Sequence, residues 1–443
     1  MDRKIGIVLF LSLIARLIEF FYTHELWWDA AVYLSMGKYI ATFGQLGLWE
    51  PIRPLLWPIV LGYGYFIGIN PVIWGHIWST FFSLGIIYLT YEIAKKLFND
   101  RTALLAAVLI SFTWIVFSFN VRLYTEIPAV FFALAAYYCF LKDKPFQTGL
   151  FIGLSFLTKF PEGLLLVIFG IFYLKSVKKL FSLGIGFALI TLPYFIFNYL
   201  AYGSPIHILI FAQEFLKYAG IWIFQQPWWF YPVELVKQNL LYFFAIPGII
   251  FALKKRRYAL LLLAIISLLY FSQMAHKELR FAILFLPYLA ILAAYGYQKI
   301  FKETHSFIII TLLLFVIHAQ IEPTNSNDFF TFFDDKEVDG EILVTHPLTA
   351  YSTEKAVTMM YYPWFNASQA DYWFRYIEKN SPEYVSVDTC EGGFLCPPED
   401  TRCEPKKQEL QAYLNETYTV EYYQQLGNCE YIIYHSTHPV AME

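Results

Sequence analysis

The chain has 443 residues, of which 58% are hydrophobic and 20% aromatic, while only 15% are charged. Soluble proteins rarely reach that balance, and nothing in it points to a nucleic-acid partner. Several apolar runs approach the length that a helix needs to cross about 30 Å of hydrocarbon, among them IGIVLFLSLIARLIEFFY and FIIITLLLFVIHAQI. The composition therefore predicts an α-helical, polytopic membrane protein.

The net charge of −3 conceals two oppositely charged parts. Residues 1–322 contain 25 Lys and Arg against 15 Asp and Glu, whereas residues 323–443 contain 7 against 20. The long apolar runs also stop near Pro323. We therefore expect a transmembrane domain over residues 1–322 and a small separate domain over residues 323–443.

The apolar runs predict about eleven membrane spans, and short basic connections alternate with longer mixed ones. The basic connections are MDRK, AKKLFNDR, KDK, KSVKK, KKRR and QKIFKE, which together hold 16 basic residues. By the positive-inside rule they lie in the cytoplasm, so the N-terminus is cytoplasmic and the tail is outside. The predicted spans are 5–22, 71–93, 102–119, 126–141, 146–158, 161–174, 180–199, 233–253, 259–273, 281–297 and 305–321.

This alternation requires that residues 27–70 form one large outer loop. The stretch RPLLWPIVLGYGYFIGIN is short and contains prolines and glycines, so we expect it not to cross the membrane. DAAVYLSMGKYIATF mixes apolar and polar residues at helical spacing, which predicts a helix lying in the membrane surface. The first span is expected to be retained, because no small-residue cleavage site follows it.

The tail alternates between strand-like and helix-like segments. EILVTH, EYVSVD and EYIIYH are typical of strands, and ASQADYWFRYIEKN and PKKQELQAYLNETYTVEYYQQ are typical of helices. This order predicts a small extracytoplasmic α/β domain with a partly parallel sheet. Cys390, Cys396, Cys403 and Cys429 favour two disulfides over a zinc site, and Asn366 and Asn415 begin glycosylation sequons.

Charged residues gather at the predicted outer face of the transmembrane domain. Charges near hydrocarbon are costly, so several at one face indicate a polar cavity there. Its basic members suit a phosphate group and its carboxylates suit a hydroxyl or an amine. The residues are Asp29, Arg53, Glu126, Lys159, His276, Lys277, Glu278 and Arg280.

Structural roles for the same residues remain open. Asp29 could cap a helix that begins at Ala30, and Glu126 could cap its own span. Lys159 and Arg53 could extend along apolar surface to reach water. Within the first span, Arg16 and Glu19 are three residues apart and are expected to pair with each other.

HKELRF at residues 276–281, followed by AILFLPYLAILAAYG, resembles the HKExRF signature of dolichyl-phosphate-mannose-dependent mannosyltransferases. WWDAAVYLSMGKYI with RPLLWP is similar to the first outer loop of the wider GT-C glycosyltransferase superfamily. RLYTEIPAVFFALAAYY and GLSFLTKFPEGLLL are similar to its next two outer segments. The resemblance covers roughly residues 1–300 and implies a GT-C-like fold.

The resemblance also implies a reaction. In this superfamily an acidic residue of the first outer loop acts as the catalytic base, and Asp29 occupies that position. The donor would be a polyprenyl-phosphate-linked sugar, with mannose favoured, and the acceptor a lipid, glycan or protein. Arg53, Lys159, His276, Lys277 and Arg280 would stabilise the leaving phosphate. Glu126 would position the acceptor or help to bind a divalent metal. The resemblance does not decide whether a metal is required. Glu278 would belong to the substrate-binding cluster.

The sequence favours such an inverting glycosyltransferase in a cell membrane, or in the endoplasmic reticulum if the organism is eukaryotic. A polytopic transporter or flippase for a lipid-linked or anionic substrate is the alternative. A transporter is expected to carry functional charges near the middle of the membrane and an internal repeat. A non-catalytic scaffold would leave the outer charge cluster without a role.

Overall fold

The protein consists of a helical part followed by a small part built on a β-sheet. The computed structural model describes residues 2–22, 26–219, 224–301, 303–319, 328–334, 336–360, 366–389 and 396–437, with only the backbone for 214–219. The predicted boundary at Pro323 lies outside the described residues.

Sixteen α-helices make up the described helical part, with single 3₁₀ turns at Phe160–Gly163, Leu240–Phe244 and Leu279–Leu284. The helices are α1 Arg3–Tyr22, α2 Trp28–Ala41, α3 Leu56–Phe66, α4 Pro71–Leu97, α5 Asp100–Ser111, α6 Trp114–Ser118, α7 Glu126–Leu141, α8 Pro145–Thr158, α9 Leu164–Tyr173, α10 Val177–Tyr202, α11 His207–Ala219, α12 Phe230–Gln238, α13 Ala245–Lys254, α14 Tyr258–Gln273, α15 Leu286–Ile300 and α16 His305–His318.

Within the described residues, α1, α4 and α10 are long and apolar enough to cross a membrane on their own. Six further apolar helical segments are shorter, so the number of spans remains a prediction. Three predicted spans are interrupted. Residues 102–119 break between α5 and α6 where the Thr113 hydroxyl bonds the Leu109 carbonyl, and residues 281–297 break before Pro287. Residues 233–253 break at Asn239, whose side chain accepts a hydrogen bond from the Leu241 amide.

The segment between α1 and α4 is organised around α2 and α3. With 11 residues α3 is about 16 Å long, so it is too short to cross the hydrocarbon, as predicted. It lies backbone to backbone against α2: a Cβ atom at Gly37 would stand 2.8 Å from the Gly62 amide nitrogen. Only glycine permits this approach.

The helix α2 is enclosed by protein, whereas its orientation relative to the membrane surface stays a prediction. Every residue from Asp29 to Lys38 is buried. The reason is that the C-terminal part covers the helix: Val32 and Met36 pack into one apolar cluster with Ile342 and Val344. The Lys38 ammonium also donates to the Thr353 carbonyl, 2.8 Å away.

The C-terminal part holds one mixed five-stranded sheet in the order β2-β1-β3-β5-β4. Strand β1 pairs in parallel with β2 and β3, while β5 pairs antiparallel with β3 and β4. A partly parallel sheet is therefore confirmed. The elements are α17 Asp328–Thr331, β1 Ile342–Val344, α18 Pro347–Ser352, β2 Thr358–Met359, α19 Ala367–Asn380, β3 Tyr384–Asp388, α20 Cys403–Thr417, β4 Tyr418–Leu426 and β5 Cys429–Ser436.

One helix prediction in this part is too long. The helix α20 stops at Thr417, and the following YTVEYYQQ forms strand β4. The segment is rich in β-branched and aromatic residues, which favour strands. A short turn at Gly427, with φ of 63°, then returns the chain antiparallel as β5.

The cysteines of the C-terminal part are paired where the structure describes them, whereas Cys139 of the helical part is free. Cys396 and Cys403 form a disulfide, and Cys429 is also disulfide-bonded. Cys390 lies outside the described residues. The first sequon asparagine, Asn366, caps α19 by accepting a hydrogen bond from the Gln369 amide at 3.0 Å.

Candidate active site

Asp29 lies in the first turn of α2, which begins at Trp28. Its cap position is Trp27, in extended conformation and without a side-chain cap bond. The interpretation of Asp29 as the N-cap of a helix that begins at Ala30 is therefore wrong. A carboxylate in the first helical turn is still stabilised by the helix dipole. The short rigid helix fixes where this carboxylate stands.

Two arginines from distant segments hold the Asp29 carboxylate. The Arg53 Nη2 atom lies 2.9 Å from Oδ1, and Arg280 Nη1 donates to Oδ2. Burial raises the pKa of Asp29, but the charges of Arg53 and Arg280 outweigh it and hold that pKa well below its ordinary value of 3.8. Asp29 is therefore ionised throughout the neutral range.

Arg280 connects Asp29 to two more carboxylates. Its Nη2 atom lies 2.5 Å from Glu278 Oε1, and its Nε lies 3.8 Å from Glu126 Oε1. Its guanidinium also stands over the Tyr124 ring, 4.8 Å from the centroid. Burial lowers the pKa of Arg280, but Glu278, Asp29 and Glu126 raise it well above its ordinary value. Arg280 thus stays charged at the centre of the cluster.

Glu126 brings Lys159 into the same cluster. Glu126 begins α7 and is fully buried, with its Oε1 atom 2.5 Å from the Lys159 ammonium. The cap of α7 is Thr125, so the capping role considered for Glu126 is not found. The Lys159 ammonium stands over the Phe281 ring, which anchors it on the HKELRF segment. The alternative in which Lys159 and Arg53 extend along apolar surface to reach water is therefore not found, because both side chains bind carboxylates.

The remaining predicted residues, His276 and Lys277, make different contacts. His276 Nε2 lies 2.7 Å from Glu278 Oε1, within the cluster. The buried Lys277 instead donates to the Gln226 carbonyl at 2.7 Å. Its amide also donates to the Phe224 carbonyl. Lys277 therefore fastens the HKELR loop to residues 224–226 and is not brought onto the carboxylates.

Glu50 belongs to the cluster although the sequence did not predict it. This residue is 3% exposed, and its Oε1 atom lies 2.9 Å from Arg53 Nε. Arg53 is thereby fixed between Glu50 and Asp29. The sequence signal that could have indicated this contact is the spacing of Glu50 three residues before Arg53 in the first outer loop.

Arg16 lies outside this cluster. No hydrogen bond or ion-pair contact to Glu19 is found within the described residues, but the charges of the two side chains attract each other, so the expected pairing is present as an electrostatic interaction. Arg16 Nε donates to the Ser83 hydroxyl at 2.8 Å, and Nη1 donates to Ser12. Ser111 donates in turn to Ser12 at 2.8 Å. Hydroxyl dipoles from three helices therefore hold the Arg16 charge.

The cluster does not fit a metal ion held by protein ligands. Its carboxylates are already engaged by Arg53, Arg280 and Lys159. Three His, Cys, Asp or Glu side chains suitably grouped for a metal are found nowhere in the described ranges.

The fold matches that of known GT-C proteins. ArnT from Cupriavidus metallidurans bound to undecaprenyl phosphate aligns with a TM-score of 0.70 at 10% identity, over 97% of both chains. The archaeal oligosaccharyltransferase AglB from Archaeoglobus fulgidus, in complex with an inhibitory peptide and a dolichol-phosphate, aligns with a TM-score of 0.60 at 14% identity. That alignment covers 97% of this chain and 73% of the other. The protein therefore has the GT-C fold.

A segment of the sequence matches a family within that class. Residues 56–198 match the family model of dolichyl-phosphate-mannose-protein mannosyltransferase. This segment runs from α3 into α10 and includes Glu126 and Lys159. No curated protein matches the sequence. The predicted resemblance to the GT-C superfamily is confirmed by this segment together with the fold.

Proposed function

We propose that the protein is an inverting glycosyltransferase that moves a sugar, with mannose favoured, from a polyprenyl-phosphate donor to an acceptor hydroxyl. The observation that carries this proposal is the placement of Asp29 between Arg53 and Arg280. A carboxylate that can accept a proton thus stands directly beside cations that can hold a phosphate. The two functions of a glycosyl transfer site meet at one buried point.

The cluster also has capacity for a ligand. Glu126 Oε2 and Arg280 Nε are buried and lack a hydrogen-bond partner among the described residues. Buried polar atoms without partners are costly, and a bound substrate that supplies partners removes that cost. Glu126 faces a hydroxyl of the acceptor in this proposal, and Arg280 faces the phosphate.

The reaction is a single displacement. The acceptor oxygen forms a bond to the anomeric carbon, and its proton passes to Asp29. The bond between the anomeric carbon and the phosphate oxygen breaks, and the lipid phosphate leaves with the electron pair. Arg53 and Arg280 stabilise its growing negative charge, supported by Lys159 and His276. Attack opposite the leaving phosphate inverts the anomeric centre.

The similar structures support a lipid-phosphate donor. One of them holds undecaprenyl phosphate and another a dolichol-phosphate. The matching family model is that of a dolichyl-phosphate-mannose-dependent transferase, which favours mannose. Lys277, by fastening the HKELR loop, would keep Arg280 at the phosphate.

The proposed site faces the outer side of the membrane. The N-terminus is then cytoplasmic, and residues 323–443 form an extracytoplasmic domain over the first outer loop. Its disulfides are expected in an oxidising compartment. Cysteine labelling that placed Lys254 outside, or Asn415 inside, would contradict this orientation.

The central test is Asp29→Asn. Purified protein with radiolabelled polyprenyl-phosphate mannose and an acceptor lipid extract should transfer sugar, and the variant should lose about 10²–10⁴-fold of that rate while still binding donor. Asp143→Asn is the matched control, since Asp143 pairs with Lys179 in an exposed contact. Full activity of Asp29→Asn would refute Asp29 as the base. Movement of the labelled lipid across vesicles without transfer would favour the transporter.

A further inference from the structure

A separate cavity lies where the α2–α3 segment meets the edge of the C-terminal sheet. Its volume is about 540 Å³, within the roughly 300–1,000 Å³ typical of small-molecule sites. The backbone of Gly47 pairs with the segment beside β2, through hydrogen bonds to Lys355 and from Val357. The residues that line the cavity include Tyr39, Trp49, Phe211, Glu341, Thr358 and Met359.

One wall of the cavity is aromatic and held in place. The rings of Tyr39 and Trp49 are 5.7 Å apart and inclined by 35°. Trp49 Nε1 donates to the Tyr202 hydroxyl at 2.9 Å, and its ring packs edge-on against Phe197. Aromatic faces carry partial negative charge and attract the weakly positive C–H groups of a sugar ring. Two fixed, half-buried rings thus offer a stacking surface.

The lining also contains polar groups that are held by hydrogen bonds. Glu341 Oε1 accepts hydrogen bonds from the hydroxyls of Thr358 and Tyr376, both at 2.7 Å. These two donors hold the plane of the carboxylate, so that Oε2 can accept from a ligand hydroxyl. Aromatic rings and an oriented carboxylate lining one cavity match the two kinds of surface of a pyranose ring.

We propose that this cavity binds a neutral sugar ring of the acceptor. The inference rests on the proposed transfer reaction and names its acceptor as a glycan. The sheet-bearing residues 323–443 contain 7 basic against 20 acidic residues, which repel an anionic acceptor. A neutral saccharide meets no such repulsion.

The cavity is joined to the reaction site by five residues of chain. Trp49 and Pro51 line the cavity, and Glu50 between them holds Arg53 at 2.9 Å. Arg53 in turn holds Asp29 at 2.9 Å. The cavity and the reaction site therefore share the α2–α3 segment, through Glu50 and Arg53.

The test measures binding without catalysis. Full-length protein in lipid nanodiscs is mixed with methyl α-mannopyranoside or methyl β-glucopyranoside, and saturation-transfer NMR reports contact with the ring protons. At least one neutral glycoside should bind and Trp49→Ala should abolish its signal. Glu341→Gln should weaken binding of that glycoside about tenfold, since a charged hydrogen-bond acceptor is replaced by a neutral one. Methyl glucuronide, the anionic probe, should bind more weakly.

Two variants control this experiment. Trp228→Ala removes an exposed tryptophan outside the cavity and should leave binding unchanged. Trp49→Phe keeps an aromatic ring and should retain most of the signal, which separates stacking from misfolding. The proposal would be overturned if neither neutral glycoside gave a saturation-transfer signal, or if the glucuronide bound more tightly than both. It would also be overturned if Trp228→Ala abolished the signal and Trp49→Ala did not.

The two proposals fail separately. Asp29→Asn should still bind the glycosides, because Asp29 does not line the cavity. Glycoside binding by a protein that transfers no sugar would refute the transfer reaction alone. Sugar transfer by a protein that binds neither neutral glycoside would refute the acceptor site alone.

Discussion

Arg16 and Arg280 are both enclosed arginines, but their partners differ in kind. Arg16 is 1% exposed and is held by hydroxyl groups of Ser12 and Ser83. Arg280 contacts the carboxylates of Asp29 and Glu278. The serine hydroxyls hold Arg16 at a point that is almost fully enclosed by helices, so they fix it as part of the packed structure. A negatively charged phosphate can replace the carboxylates as hydrogen-bond partner of Arg280. Arg280 is therefore suited to binding the substrate, whereas Arg16 is suited to stabilising the fold.

Arg280→Lys is expected to have the largest effect. A lysine ammonium cannot reach Asp29 and Glu278 together as a guanidinium fork does, so sugar transfer should fall by about 10²–10³-fold. The rate is measured with labelled donor. Arg402→Lys, at an arginine whose side chain is 82% exposed, is the matched control. Unchanged transfer by Arg280→Lys would remove Arg280 from the phosphate site.

Arg53→Gln should change the pH dependence. In the native protein the pKa of Asp29 lies well below its ordinary value of 3.8. Protonation of Asp29 therefore limits activity only at a pH well below 3.8. Loss of one neighbouring cation should raise the acidic limb of kcat/KM by about 1–3 pH units. The profile is measured from about pH 2 to 8, so that the acidic limbs of both proteins lie within it. An unmoved acidic limb would show that Arg53 does not set the charge of Asp29.

Arg16→Met should have the smallest effect on transfer. The buried serine hydroxyls lose a partner, so the free energy of unfolding should fall by about 1–3 kcal/mol. The rate of sugar transfer by the folded protein should stay close to the native value. Thermal unfolding and transfer are measured on the same preparation. Lost transfer at unchanged stability would break the distinction between the two arginines.

The sequence predicted the local elements of the fold well. Apolar runs predicted α1, α4, α7 and α10 within a few residues, because hydrophobicity and length decide such helices locally. The breaks at Thr113 and Asn239 were missed, since a single polar residue inside an apolar run is a weak signal. Burial of α2 was missed because it depends on the C-terminal sheet, more than 300 residues further along the chain.

The charged cluster was predicted as a set, but not its pairing. Predicted topology brought Asp29 and Arg280 to one face, yet no local pattern shows that residues 251 apart form an ion pair. Glu50 was missed although it fixes Arg53. Lys277 was assigned with its neighbours because the motif contains it, whereas its side chain points to the Gln226 carbonyl. Partners in such a cluster depend on tertiary packing.

The close approach of Gly37 and Gly62 has a mechanical consequence. With no side chains between them at this point, α2 and α3 are packed as one unit, and the salt bridge between Asp29 and Arg53 joins α2 to the residues just before α3. Arg280 belongs to a different segment, fastened through Lys277. A phosphate that enters the ion pair therefore lies between two separately anchored segments, so its binding also ties the HKELR loop to the α2–α3 segment.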